Sequence, residues 1–320
     1  MNRFIGILLP LFVVAAVGFA FSERPVPPMP DTQLQIQHLL MLDTASLGPR
    51  LVAVGERGRI FLSDDGGREW RSAISDAEAT LTAVGTVDAG RLVAVGHDSV
   101  ILLSDDDGEH WRTVFADPQA EEPLLAVRFG SGGQGYAVGA YGRFLESGDG
   151  GVTWQQRYLD GDDFHFNAIA RAGGSLLLAG EAGTLLRSDD GGQEWLEIDS
   201  PYVGSFFGLL ELPDGAVLVF GMRGHAYRSV DVGESWERVE TGTQSSIFGG
   251  RVLADGGLVL VGQNGLVLRS GDNGHGFIEI DADTSRTFNA VIESRAGDVL
   301  LFGEQGVLRL HREQIGGAGS

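Results

Sequence analysis

Ser188-Asp189-Asp190-Gly191-Gly192-Gln193-Glu194-Trp195 is one of six copies of a single arrangement, Ser-x-Asp-x-Gly-x-x-Trp, that runs through the chain. The other copies begin at Ser63, Ser104, Ser147, Ser229 and Ser270, and end at Trp70, Trp111, Trp154, Trp236 and, in the last copy, Phe277. All five tryptophans of the 320-residue sequence are used in this way. They are spaced 41, 43, 41 and 41 residues apart, and Phe277 lies a further 41 beyond Trp236. A glycine that closes an apolar run, 15 residues before the closing aromatic of each box and recurring once more after the last, gives an independent count: Gly55, Gly96, Gly139, Gly180, Gly221, Gly262 and Gly303. Seven glycines define seven repeats, the last of them without a box.

Within one period, short apolar runs alternate with glycine-rich breaks. The third repeat has four such runs, at residues 125–129, 135–139, 143–147 and 153–157. Runs of this length, rich in Val, Leu and aromatics, read as strands. Four strands recurring at a period near 40 are the signature of propeller blades, each of which buries its faces only against its neighbours. The expectation is an all-β, seven-bladed β-propeller over residues 33–320. Each box is then the hairpin between the third and fourth strands. Asp65, Asp106, Asp149, Asp190, Asp231 and Asp272 accept hydrogen bonds from the turn, the fifth-position glycine supplies a positive φ, and the Trp (or Phe277) packs between blades. This mechanical role accounts for all four conserved types together. A catalytic or metal site does not need six copies.

The first 22 residues carry an address. Residues 4–21 hold no charge, and as a helix they span about 27 Å, just short of a bilayer core of about 30 Å. Gly18 and Ala20 suit a cleavage site before Phe21, while the unbroken length suits an anchor. A cleaved signal peptide and an uncleaved hydrophobic anchor helix both remain open, and either exports the propeller to a periplasmic or other extracytoplasmic compartment. Residues 23–32 contain Pro25, Pro27, Pro28 and Pro30 and read as a stiff extended tether. The seventh repeat ends about where its fourth strand is due, so residues 30–37 are expected to supply that strand and latch the ring.

The boxes resemble the Asp-boxes, or BNR repeats, of sialidases, sortilin-type receptors and photosystem II assembly factors of the Ycf48 type. The unit Ala137-Val138-Gly139 followed by box and Trp154 is closest to the Ycf48 type, and the resemblance covers roughly residues 39–310. It implies a seven-bladed, non-catalytic propeller that binds other proteins and assists assembly. By the same family association, bacterial relatives point to RND-type exporters as partners.

In such a disc the second-to-third strand turns and the connections between blades share the face opposite the boxes. These turns differ at every blade, and the connections are acidic and aromatic. Arg57, Tyr141, Tyr158, Phe164, Tyr202, Met222 and Arg223 are therefore the candidate partner contacts. Phe166, Phe207, Phe248 and Phe288 recur before the inner strands and read as core. Asp160, Asp162 and Asp163 lack the twelve-residue pattern and distal Glu of a calcium loop. With 23 Lys and Arg against 44 Asp and Glu, the net charge is −21, the wrong sign for nucleic acid or for an anionic membrane surface. Membrane contact is expected only through the N-terminal segment, the partner is expected to present a basic patch, and the propeller alone is expected to be a monomer. Cysteine is absent, and the seven histidines show no zinc spacing, so neither a metal nor a cofactor is expected. The enzyme alternative is a sialidase-like glycoside hydrolase. It needs an activated tyrosine and an arginine triad, and Arg128, Arg171, Arg251 and Arg295 share no strand position that would form one.

Overall fold

The computed structural model describes residues 34–159 and 164–316. The expected signal or anchor helix, the proline tether and Asp160, Asp162 and Asp163 lie outside the described residues. From residue 35 onward the described residues form one compact unit of seven antiparallel sheets, six with four strands in chain order and the last with three. The inner strands are Met41–Leu47, Leu81–Asp88, Leu124–Phe129, Phe166–Ala172, Phe206–Glu211, Ile247–Val252 and Phe288–Glu293. Each packs beside the next, and the seventh beside the first. This is a seven-bladed β-propeller. Among the described residues no helix is long and apolar enough to cross a membrane.

The landmark glycines owe their place to a close approach. Gly55 and Gly139 have extended backbones, with φ of −172° and −165°, so any residue could adopt the dihedral. A Cβ on any of the seven would instead meet a backbone carbonyl of the chain entering the inner strand, at 2.0–2.3 Å. The boxes are built as the turn chemistry requires. In all six, the Ser hydroxyl donates to the Asp carboxylate at 2.6–3.0 Å and accepts the N–H of the fifth-position glycine at 2.7–3.0 Å. The same carboxylate accepts the N–H four residues on, at 2.8–3.1 Å. That glycine sits at φ 80–93° in every box.

The box aromatics pack against the preceding blade. Trp111 joins the cluster of Val52 and Leu62, Trp195 meets Phe144 edge-on at 5.8 Å, and Trp236 and Phe277 border the apolar layers of the blades before them. The core is thus a set of layers between blades, with each second strand buried along most of its length.

Two expectations need correction. Every inner strand skips one residue after its first pair: Met41 pairs with Gly55 and Asp43 with Val54, which bulges Leu42 out. The same shift recurs in the fifth and sixth blades. It makes Phe206 and Ile247 the buried equivalents of Phe166 and Phe288, while Phe207 and Phe248 are half-buried with rings 5.4 Å apart, Phe248 lining the central cavity. Nor do Gln35 to Gln37 form a strand. Ile36–His38 is a 3-10 turn, and the Ile36 carbonyl lies 2.3 Å from the Cβ position of Gly306. Gly183 makes the same approach to the Tyr202 carbonyl, so residues 36–40 follow the path of a connection into the first blade. Closure is completed by Trp70 edge-on to Phe302 at 5.7 Å, by Asn289 Nδ2 donating to the Met41 carbonyl at 3.3 Å and by Arg309 Nη2 donating to the Gly66 carbonyl at 2.8 Å.

Candidate partner-binding face

The second-to-third turns place one residue of each blade in the same left-handed conformation. Arg57, Asp98, Tyr141, Ala182, Arg223, Asn264 and Gln305 all have φ between 53° and 61°. Six of these turns are short 3-10 segments, such as Ala140–Gly142, where Arg143 N–H returns to the Ala140 carbonyl at 3.0 Å. This conformation costs a residue with an ordinary side chain roughly 1–2 kcal/mol and is tolerated best by Gly, Asn and Asp. Only Asp98 and Asn264 follow that preference. The backbone does not select Arg57, Tyr141 or Arg223, and strained positions of this kind cluster at functional surfaces.

Of the seven candidates, the structure brings Tyr141, Tyr158 and Phe164 together. They line a groove of about 600 Å³ between the third and fourth blades, with Leu159, Phe166, Leu186 and Trp195 as further apolar wall. Tyr141 is 57% exposed and Tyr158 81%. The Tyr141 ring meets His165 edge-on at 4.8 Å. At the groove's other wall lies Arg143, only 3% exposed, which binds Asp117 at 2.9 Å, Glu122 at 3.0 Å and Gln156 Oε1 at 2.8 Å. Glu197 contributes a third carboxylate. Sequence reasoning saw the acidic connection but missed Arg143, Gln156 and Glu197. The only signal was a charged residue opening a third strand, which Arg59 also shows while remaining exposed.

The other candidates lie elsewhere. Tyr202 is stacked on His225, with centroids 4.1 Å apart and planes within 13°, and lies 6.0 Å from Phe206. It is part of the packing between the fourth and fifth blades, which corrects its reading as a free contact. Met222 is half-buried, while Arg57 and Arg223 are exposed. Arg57 borders a separate cavity of about 480 Å³ with Arg59, Asp76 and Glu78.

On the opposite face the box carboxylates are held ionised. Asp149 is lowered to about 2 by the Thr153 hydroxyl and N–H, and Asp231 to about 2 by the hydroxyls of Ser235 and Ser229. A central cavity of about 280 Å³ runs between the inner strands. There Asp43 occupies a position that holds Ala83, Ala126, Ala168, Gly208, Gly249 and Ala290 in the other blades. It lies deep in the ring, with part of its surface open to the cavity. Its carboxylate accepts the Val84 N–H of the next blade at 2.8 Å. Burial raises it to about 6, against the lowering effects of the Val84 and Thr44 N–H groups and of Arg251.

Neither Tyr136 nor Tyr227 resembles an activated nucleophile. Burial raises both Tyr136 and Tyr227, and the Tyr136 hydroxyl is spent on the Gly191 carbonyl. Arg128, Arg171, Arg251 and Arg295 are all exposed near the box-face ends of four different blades. Among the described residues no three His, Cys, Asp or Glu side chains gather to hold a metal ion.

Comparison with known proteins follows the same lines. Residues 107–266, half of the chain, match the family described as photosynthesis system II assembly factor YCF48. No curated protein matches the sequence. Among solved structures, the chain is similar to "YCF48 bound to D1 peptide" at 17% identity and a TM-score of 0.70, covering 90% of this chain and 96% of that one. It is similar to YCF48 from Cyanidioschyzon merolae at 16% identity and a TM-score of 0.68, covering 89% and 98%. A streptogramin B lyase aligns at 14% identity and a TM-score of 0.71, covering 87% and 95%. At these identities the structural likenesses show the propeller fold alone.

Proposed function

The chain belongs to the photosynthesis system II assembly factor YCF48 family, and from that premise we propose that it is a non-catalytic, exported scaffold that captures a segment of a membrane or envelope protein during assembly. The observation that carries this reading is the ring of left-handed turn residues on one face, where Arg57, Tyr141 and Arg223 stand against the preference of the backbone. A structural relative is described as bound to a D1 peptide, which supports a peptide segment of a membrane complex as the kind of partner. An RND-type exporter is one such complex. Burial of Tyr136 and Tyr227 speaks against either of them as a sialidase-like nucleophile, which requires activation. The test has two arms. Purified propeller should capture one protein from solubilised membranes, with capture lost on replacing Tyr141 by Ala, and it should leave a fluorogenic sialoside intact. Turnover of the sialoside abolished by a tyrosine substitution would overturn the reading.

A further inference from the structure

The groove between the third and fourth blades is finished differently from two other gaps of the ring. Between the first and second blades, Ile74 forms a bridge to His110 of the next box, with its N–H on the Glu109 carbonyl and its own carbonyl accepting from Trp111 N–H, both at 2.9 Å. Glu240 forms a like bridge to Gly276 between the fifth and sixth blades. Tyr158 holds the same repeat position, four residues past its box Trp, but stands 81% exposed. In its place Arg157 reaches across and donates to the carbonyls of Gly192, at 2.6 Å, and Gln193.

Trp70, Trp111 and Trp154 each donate their indole N–H to the glycine carbonyl of their own box, at 2.8–3.2 Å. For Trp195 the corresponding carbonyl is that of Gly192, which accepts from Arg157, and Trp195 Nε1 is buried without an acceptor, as is Trp236 Nε1 in the fifth blade. Arg143 Nε is in the same condition. Trp195 and Arg143 line the groove. A buried donor without a partner is destabilising, so this wall carries hydrogen-bonding capacity that the chain itself does not use.

The charges are likewise unbalanced. Asp117, Glu122 and Glu197 face one guanidinium, that of Arg143, in a protein of net charge −21. Apolar rings with a surplus of carboxylate fit a peptide that alternates apolar and basic side chains. Its aliphatic groups would lie on Phe164, Leu186 and Trp195, its basic group would approach Glu197, and Tyr158 would close over it.

Resting on the scaffold reading above, we infer that this groove is the docking site for an extended, cationic and apolar peptide segment of the partner. The probe is a fluorescein-labelled peptide of alternating leucine and arginine, compared by anisotropy with the same peptide carrying glutamate in place of arginine. The arginine peptide binds at least about tenfold more tightly. Glu197→Arg removes that preference, and Tyr158→Ala weakens binding about tenfold without lowering Tm. Glu279 holds the same position in the sixth blade, opposite Leu268 as Glu197 is opposite Leu186, so Glu279→Arg changes the net charge equally and leaves binding intact. Equal losses in the two charge reversals would mean attraction by the whole-molecule field, and would overturn the groove. Capture of a membrane protein that persists in Glu197→Arg and Tyr158→Ala would overturn the groove while leaving the scaffold standing. Absence of capture by the unaltered protein would count against the scaffold itself.

Discussion

Replacing Asp43 by Asn isolates a carboxylate that lines the central cavity. Its folded value of about 6 against an ordinary 3.8 means that folding favours the protonated form. Its contribution to stability is therefore fully present below about pH 4 and is lost as pH rises through about 6. The gap corresponds to at most about 3 kcal/mol, at 1.36 kcal/mol for each tenfold step in proton affinity. Asn cannot ionise, yet its side-chain oxygen can keep the Val84 N–H bond. Asp43→Asn should exceed the parent protein by only about 1 kcal/mol near pH 4.5 and by up to about 3 kcal/mol by pH 8. Urea denaturation at fixed pH values between 4.5 and 8 measures this window, above the range in which the box carboxylates titrate. Arg251 across the cavity lowers the Asp43 value, so Arg251→Gln should widen the difference. A variant no more stable than the parent at pH 8, or a difference independent of pH, would refute the argument that burial governs this group.

Trp111, 5% exposed between the first two blades, should cost about 3–5 kcal/mol on truncation to Ala, read as a fall in denaturation midpoint. Gly139→Ala forces a Cβ to 2.1 Å from the Pro123 carbonyl and should lower Tm sharply, whereas Gly132→Ala, with nothing within 4 Å, should be limited to the strain of its positive φ. Thr153→Ala removes the 2.6 Å hydroxyl bond to Asp149. The Asp149 value should then rise from about 2 by NMR titration, and acid unfolding, which sets in as pH falls below about 4 towards 2, should begin at a higher pH. Tyr202→Ala should lower Tm by removing the stack on His225, while Tyr158→Ala should not; equal Tm values would contradict the assignment of Tyr202 to the packing.

What the sequence reveals well is what the fold repeats. The box Asp and Trp residues and Gly55 to Gly303 recur six or seven times because one local geometry recurs, and each copy reports the same turn or close approach. Features that occur once are harder to read. Asp43 stands out only after the bulge at Leu42 aligns it with Ala and Gly elsewhere, and that bulge also shifts Phe206 into the place expected for Phe207. Tyr202 looks free in a variable connection because its partner, His225, is on the next blade. Tyr141, Tyr158 and Phe164 are legible as candidate contacts and the structure gathers them in one groove, but the Arg143 ion pairs and the diversion of Arg157 depend on residues brought together only by the ring.

Placement of a photoreactive benzoylphenylalanine at Tyr141, with a second variant carrying it at Glu234 beside a box, tests the central claim most directly. Illumination in membranes from the producing cell should cross-link the first to a membrane or exported protein and leave the second free. Cross-linking of the same protein from Glu234 and none from Tyr141 would place the interaction on the opposite face and contradict the account.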